Sequence, residues 1–253
     1  MNGEQVFSFM LILARVSAFI GFFPLFAQRQ LPAMVKAGLA TALTVFWYGS
    51  VPVPPQTGES LSTLSAVLLM TQEVGIGLLL AITLGFLLLP ARIAGSYIGQ
   101  EIGLSMEPVT NTGSEQSTMT ASLFEAFAVL LFFGMNLHHF LILILHHSMN
   151  ELAGKINLLR LPTEGLIAMV DQIPEYGLLI LAPMGVISFV MVVGLFFLSK
   201  ASPTLNLFSV GMPLRVGMGL FCLILFLPVI VRSIAVYFER SMAELEQMMS
   251  FFQ

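Results

Sequence analysis

Residues 177–198 read GLLILAPMGVISFVMVVGLFFL and contain no charged residue. This stretch is longer than the roughly 20 mainly apolar residues that a helix needs to cross the hydrocarbon core of a bilayer. Hydrocarbon offers no hydrogen-bond partners, and a helix satisfies its backbone amides within its own segment. The stretch therefore predicts a membrane helix and sets the fold class, an all-α membrane protein.

Similar apolar segments continue along the chain on the N-terminal and C-terminal sides of this stretch. Polar or proline-rich connections separate them, and none of these connections is long enough for a soluble domain of ordinary size. We therefore predict a single helical domain over residues 1–253, with some of its helices broken. The six apolar segments are 5–27, 34–53, 64–89, 121–147, 177–199 and 210–238.

The composition excludes several classes of function. Hydrophobic residues make up 57% of the chain and charged residues 9%, against roughly 45–50% and about 25% in soluble domains. The net charge of −4, with no basic run, predicts no nucleic-acid binding. The sequence has no zinc-protease, nucleotide-binding, nucleophile-elbow or CxxC motif, so we predict no enzyme activity, cofactor or metal.

Two charged residues, Arg15 and Glu73, lie inside apolar segments where neither can cap a helix. A charge at the centre of a membrane helix costs roughly 2.5–3.5 kcal/mol on insertion scales, so both side chains should be buried with partners. The two residues could pair with each other or with another subunit, and a role in a proton relay is the alternative.

Glu125 follows Ser122 by three residues, which predicts a capping box at a helix N-terminus.

A ridge of small residues precedes the most polar part of the chain. Ala91, Gly95, Gly99 and Gly103 recur every four residues, so on a helix they form one ridge that another backbone can approach closely. We predict close helix packing there, with a ligand groove as the alternative.

The next residues, 105–118, read SMEPVTNTGSEQST and cannot lie in hydrocarbon. By their composition alone they form either an exposed connection or a constriction inside a water-filled cavity.

Four histidines lie near residues 138–147, at positions 138, 139, 146 and 147. His139 and His146 share a helical face, but seven residues rise about 10.5 Å along a helix. Two imidazoles so far apart cannot bind one metal ion at about 2.1 Å, so we predict interfacial histidines.

The tail 239–253 is amphipathic, which is typical of a partner surface or of a frayed continuation of the last helix.

Residues 203–215 read PTLNLFSVGMPLR. This pattern resembles the signature P-x-L-N-x-F-x-x-G-x-P-L-K/R of the FliR family of flagellar type III export-gate proteins, which is related to the SctT family of injectisomes. Residues 14–17, 72–77 and 94–105 agree with the family in the expected order, whereas residues 136–139 depart in register, so no role is transferred to the histidines. Among the matching residues, the resemblance singles out Pro203, Leu205, Asn206, Phe208, Gly211, Pro213 and Arg215.

The resemblance implies a structural, channel-forming subunit of the export gate in the bacterial inner membrane, at the flagellar basal body. Residues 1–200 would form a FliP-like part, and residues 201–253 a FliQ-like hairpin and amphipathic tail. The implied partners are FliP-like and FliQ-like membrane subunits, FlhB-like and FlhA-like export proteins, unfolded protein substrates and membrane lipid. The signature residues would contribute a partner interface.

The resemblance also implies that the loop after the ridge, near residues 104–118, is a plug at the channel constriction. Leu104 and Met106 would form a deformable apolar seal, while Gly103 and Pro108 would set the path of the backbone on either side of Ser105. The alternatives are the equivalent injectisome subunit, and a secondary transporter that uses Arg15 and Glu73 in broken helices.

Replacing both His139 and His146 by Gln is expected to leave export unchanged, because these side chains are too far apart to share a metal ion. Secretion of flagellar proteins into the medium measures this. Loss of export that added metal restores would contradict the prediction.

Overall fold

The computed structural model describes residues 3–27, 31–49, 62–104, 119–150, 163–201 and 207–250. Every regular element in these ranges is helical, which confirms the prediction of an all-α membrane protein. A 3-10 turn, Phe86–Leu88, joins α4 to α5. The helices are α1 (Gly3–Phe22), α2 (Pro24–Ala27), α3 (Ala33–Tyr48), α4 (Thr63–Gly85), α5 (Leu89–Ile102), α6 (Met119–Gly134), α7 (Leu137–Asn150), α8 (Thr163–Ala201) and α9 (Leu207–Ser250).

Four stretches of the described residues are long and apolar enough to cross a membrane. They overlap the predicted segments 5–27, 64–89, 177–199 and 210–238. The second stretch includes α4, the 3-10 turn and α5, and α5 carries the ridge of small residues. The stretches are Gln5–Phe22, Thr63–Ile102, Met169–Ala201 and Gly211–Leu245.

The two other predicted segments differ from simple membrane spans. The segment 34–53 contains α3, whose 16 residues fall short of the roughly 20 that a span requires. The segment 121–147 is broken into a bent pair, α6 and α7, and Asn136 between them has a φ of 59°. Asn tolerates this left-handed conformation because its short polar side chain can hydrogen-bond locally. The hydrophobicity of a segment does not indicate a positive φ, so the apolar pattern alone predicted an unbroken segment.

The chain divides into two compact units, Met1–Phe86 with Asn136–Leu166, and Leu87–Met135 with Ile167–Gln253. In the first unit α1 packs against both α3 and α4. The rings of Phe9 and Tyr48 contribute to the α1–α3 contact at a centroid distance of 5.9 Å. The boundary near residue 200 implied by the resemblance falls between α8 and α9 and stays a prediction.

In the first unit, α1 and α4 approach closely at Gly77. A β-carbon at Gly77 would overlap the backbone carbonyl oxygen of Arg15 and would lie 3.1 Å from the β-carbon of Ala18. A backbone atom cannot rotate away as a side-chain end can, so this approach requires glycine.

In the second unit, α5 packs against α6 at Gly95. A β-carbon there would lie 2.7 Å from the β-carbon of Phe124 and 2.8 Å from the carbonyl oxygen of Thr120. Both distances are shorter than van der Waals contact, so the two helices meet at a distance that only glycine permits. Ala91 and Gly99, the other predicted packing residues, are also buried.

Two further helices of the same unit approach α5 through their own glycines. A β-carbon at Gly177 of α8 would lie 3.2 Å from the side chain of Ile93. A β-carbon at Gly219 of α9 would lie 2.8 Å from the side chain of Ile102. Helix α5 is therefore held by α6, α8 and α9 within this unit.

Replacing Gly77 by Ala is expected to lower the amount of folded protein, because the new β-carbon meets the backbone of α1. Gly75→Ala on the same helix is the matched control, since a β-carbon there meets nothing within 4 Å. Ala also improves helix propensity over Gly by about 1 kcal/mol, so the control should be neutral or stabilising. The steady-state level in membranes, measured by immunoblot, tests both variants. Equal levels would contradict the close α1–α4 contact.

Candidate functional site

Helix α5 ends in a glycine cap directly before the polar loop. Gly103 has a φ of 85°, in the left-handed region that glycine adopts without strain. Its amide donates to the carbonyl of Gln100 at 3.1 Å, and the amide of Leu104 donates to the carbonyl of Gly99 at 2.9 Å. These two bonds form a Schellman motif, which satisfies carbonyls left without partners at a helix end. The chain therefore leaves α5 along a defined path.

Arg215 of α9 satisfies a further carbonyl at the same helix end. Its Nε donates to the backbone carbonyl of Glu101 at 2.5 Å. Its terminal nitrogen lies 3.3 Å from the Glu101 carboxylate, with the two side chains 35% and 41% exposed. An exposed ion pair contributes little stability, but a cation that donates to the last carbonyls of a helix also interacts favourably with the helix dipole.

The predicted plug residues lie at and after this cap. Gly103 forms the cap, and Leu104 is 49% exposed. Ser105, Met106 and Pro108 lie outside the described residues, within 105–118. Along the chain these residues lie between α5 and α6, which pack on each other at Gly95.

The predicted signature residues fall mostly around the start of α9. Gly211 is buried, and a β-carbon there would lie 3.9 Å from Leu195 of α8, an ordinary contact distance. Pro213 is exposed and lies within α9. Phe208 belongs to the first turn of α9, while Pro203, Leu205 and Asn206 lie outside the described residues.

The structure pairs Arg15 with Glu73, one of the alternatives that the sequence left open. Both side chains are 0% exposed, and Nε of Arg15 donates to Oε2 of Glu73 at 2.6 Å. A second guanidinium nitrogen donates to the backbone carbonyl of Ser148 in α7. Arg15 of α1 therefore links this helix to α4 through the ion pair and to α7 through the hydrogen bond, inside the first unit.

Glu125 does not close a helix N-terminus, so the capping-box prediction is wrong. Helix α6 includes Met119, which places Ser122 inside the helix. The Glu125 carboxylate instead lies 4.0 Å from Nε of Arg92 in α5. The spacing of Ser122 and Glu125 also occurs within helices, and it marks a cap only where a helix begins.

The tail is a continuation of α9 as far as Ser250. Near its start, Gln172 of α8 donates to both carboxylate oxygens of Glu244, at 3.1 and 3.2 Å. The rings of Tyr176 and Tyr237 stand 4.6 Å apart between the same two helices. These contacts join α9 to the part of α8 that directly precedes the apolar stretch 177–198.

Neither Glu101 nor Gly219 carried a functional prediction from sequence, although both belong to this site. Arg215 lies 114 positions from Glu101 along the chain, so no local spacing connects them. The His138 and His139 rings lie 4.2 Å apart in α7. No group of three or more His, Cys, Asp or Glu side chains within the described ranges could hold a metal ion.

Comparison with known proteins gives a match over residues 6–241 to the family described as bacterial export proteins, family 1. The flagellar biosynthetic protein FliR of Escherichia coli is 28% identical over 225 residues, covering 86% of this chain and 83% of that protein. FliR of Bacillus subtilis is 27% identical over 229 residues, covering 88% and 87%. FliR of Aquifex aeolicus is 24% identical over 237 residues, covering 93% and 91%. The likeness therefore extends from α1 through most of α9.

Replacing Glu73 by Gln is expected to deplete the protein strongly, because Arg15 keeps a buried charge without its counter-ion. Breaking such a pair from one side costs about 3–5 kcal/mol, whereas replacing both partners by apolar residues is often neutral. The double variant Arg15→Met/Glu73→Leu should therefore recover much of the lost protein. Immunoblots of membranes measure both levels.

A Glu73→Gln protein as abundant as the parent would contradict the structural role of the pair. A double variant that accumulates normally but no longer exports would favour the proton relay instead.

Proposed function

Because this chain belongs to the bacterial export proteins, family 1, as a FliR-family protein, we propose that it is a structural, channel-forming subunit of the flagellar type III protein export gate. In this role it passes unfolded flagellar proteins across the bacterial inner membrane at the flagellar basal body. The observation that carries the proposal is the family match, which runs from residue 6 to residue 241.

The two buried charges support a structural role over that of a solute carrier. Arg15 is bonded to Glu73 and to the carbonyl of Ser148, so its charge is held by the fold itself. A carrier site near the membrane midplane would instead direct such groups to a passing solute. Energy for export then comes from partner proteins, since the sequence has no nucleotide-binding motif.

Residues 104–118 form the plug of the channel in this proposal. They follow a helix whose end is fixed by the Gly103 cap and by Arg215. Leu104 is exposed at that point and, with Met106, supplies apolar atoms for a deformable seal. Gly103 and Pro108 set the backbone path across the lumen on either side of Ser105.

The exposed apolar surface of α8 and α9 supports assembly with other membrane subunits. Most of the apolar surface of these two helices is not covered by the part of the chain that the structure describes. FliP-like and FliQ-like subunits and membrane lipid are its proposed neighbours, with FlhB-like and FlhA-like proteins as further partners. The signature residues around 203–215 contribute to this partner interface, and residues 201–253 act as a FliQ-like hairpin and tail beside the FliP-like part, 1–200.

Deleting residues 107–116 while keeping α5 and α6 is expected to leave the complex assembled but leaky, because a lost constriction admits water and ions. Conductance of the purified complex in planar bilayers measures the leak, and the intact complex should stay silent. A deletion of residues 54–59, in the connection before α4, is the control and should be silent too.

A complex that lacks 107–116, assembles fully and conducts no more than the parent would remove the plug from the proposal. A silent 107–116 deletion that also exports flagellar proteins normally would assign these residues to an ordinary connection.

A further inference from the structure

The last turn of α5 contacts α9 at two points that lie four residues apart on α9. Ile102 packs against Gly219, where a β-carbon would come as close as 2.8 Å, and Glu101 accepts a hydrogen bond from Arg215. Residues four apart share one face of a helix, so a single face of α9 makes both contacts. Val216 belongs to the same face and lies 3.9 Å from the position of a β-carbon on Gly103.

The two bonds of Arg215 are unequal in strength. The bond from Nε to the carbonyl of Glu101 is 2.5 Å long, while the contact to the carboxylate is 3.3 Å and partly exposed. The guanidinium is the charged donor in both contacts, but the contact to the carboxylate is longer, and exposed ion pairs contribute little. The backbone carbonyl is therefore the main partner of Arg215.

We propose that Arg215 is a positioning residue for the gate: it fixes the C-terminal turn of α5, and with it the residues that lead into the plug, from α9. This inference rests on the proposed plug role of residues 104–118. Its consequence is that α9, which begins within the signature segment, controls the base of the plug. A movement of α9 at this point frees the Glu101 carbonyl and removes the contact that holds the last turn of α5 just before the Gly103 cap.

The planar guanidinium explains the choice of Arg at this position. Its Nε and terminal nitrogens form a fixed fork, so one side chain bonds the carbonyl and approaches the carboxylate of the same residue. Lys keeps the charge but presents a single ammonium group on a flexible stem, which holds the helix end less firmly.

Planar-bilayer conductance of the co-expressed complex tests the inference, together with the yield of assembled complex. Arg215→Gln should assemble and open roughly ten times more often than the parent, which corresponds to about 1.4 kcal/mol. Glu101→Gln keeps the backbone carbonyl and should stay within roughly twofold of the parent, as expected for loss of an exposed pair. Arg215→Lys should lie between them. Arg240→Gln, an arginine change elsewhere on α9, should be silent.

Each outcome decides the inference. If the 107–116 deletion leaks but Arg215→Gln stays tight, the positioning role is wrong and the plug proposal stands. If that deletion is itself tight, both fail. If Glu101→Gln leaks as much as Arg215→Gln, the carboxylate is the partner that matters and the assigned bond is wrong. If Arg215→Gln does not assemble, Arg215→Lys decides: a leak supports the inference and a tight complex overturns it.

Discussion

The backbone carbonyls in the last turn of α5 have no partners within the helix, and the way they are satisfied organises this part of the molecule. Gly103 and Leu104 donate to Gln100 and Gly99, and Arg215 donates to Glu101. An unsatisfied polar group away from water costs free energy, so the helix end is held both by its own chain and by α9. The polar residues 105–118 begin from this fixed end.

Small side chains determine the packing around α5, because lipid is as apolar as a neighbouring helix and hydrophobicity cannot drive helices together. Gly95 brings α6 close, Gly177 brings α8 and Gly219 brings α9. The first unit follows the same rule at Gly77, where the Arg15–Glu73 ion pair lies between the same two helices, α1 and α4. Close contacts at glycines and, in the first unit, the buried Arg15–Glu73 ion pair therefore hold these helices together.

The features that could be predicted from sequence are those written in local periodicity. The charge-free stretch 177–198 predicted the helical membrane fold. The four-residue spacing of Gly95 from the other small residues predicted close packing without identifying the helix that packs there. The break at Asn136 was missed because apolar composition does not record a positive φ. The bond between Arg215 and Glu101 was missed because it joins residues 114 positions apart. The signature drew attention to Arg215 through resemblance alone, and only the structure shows which group it contacts.

The central claim, that residues 104–118 close a channel through which protein passes, is tested most directly by photo-cross-linking during export. A photoreactive amino acid is placed at Met106, and an export substrate is stalled in the assembled complex. The same group at Phe189, which is 69% exposed on α8, serves as the control. The account predicts a cross-link from position 106 to the substrate and none from position 189. A substrate that cross-links to position 189, or never to position 106, would contradict it.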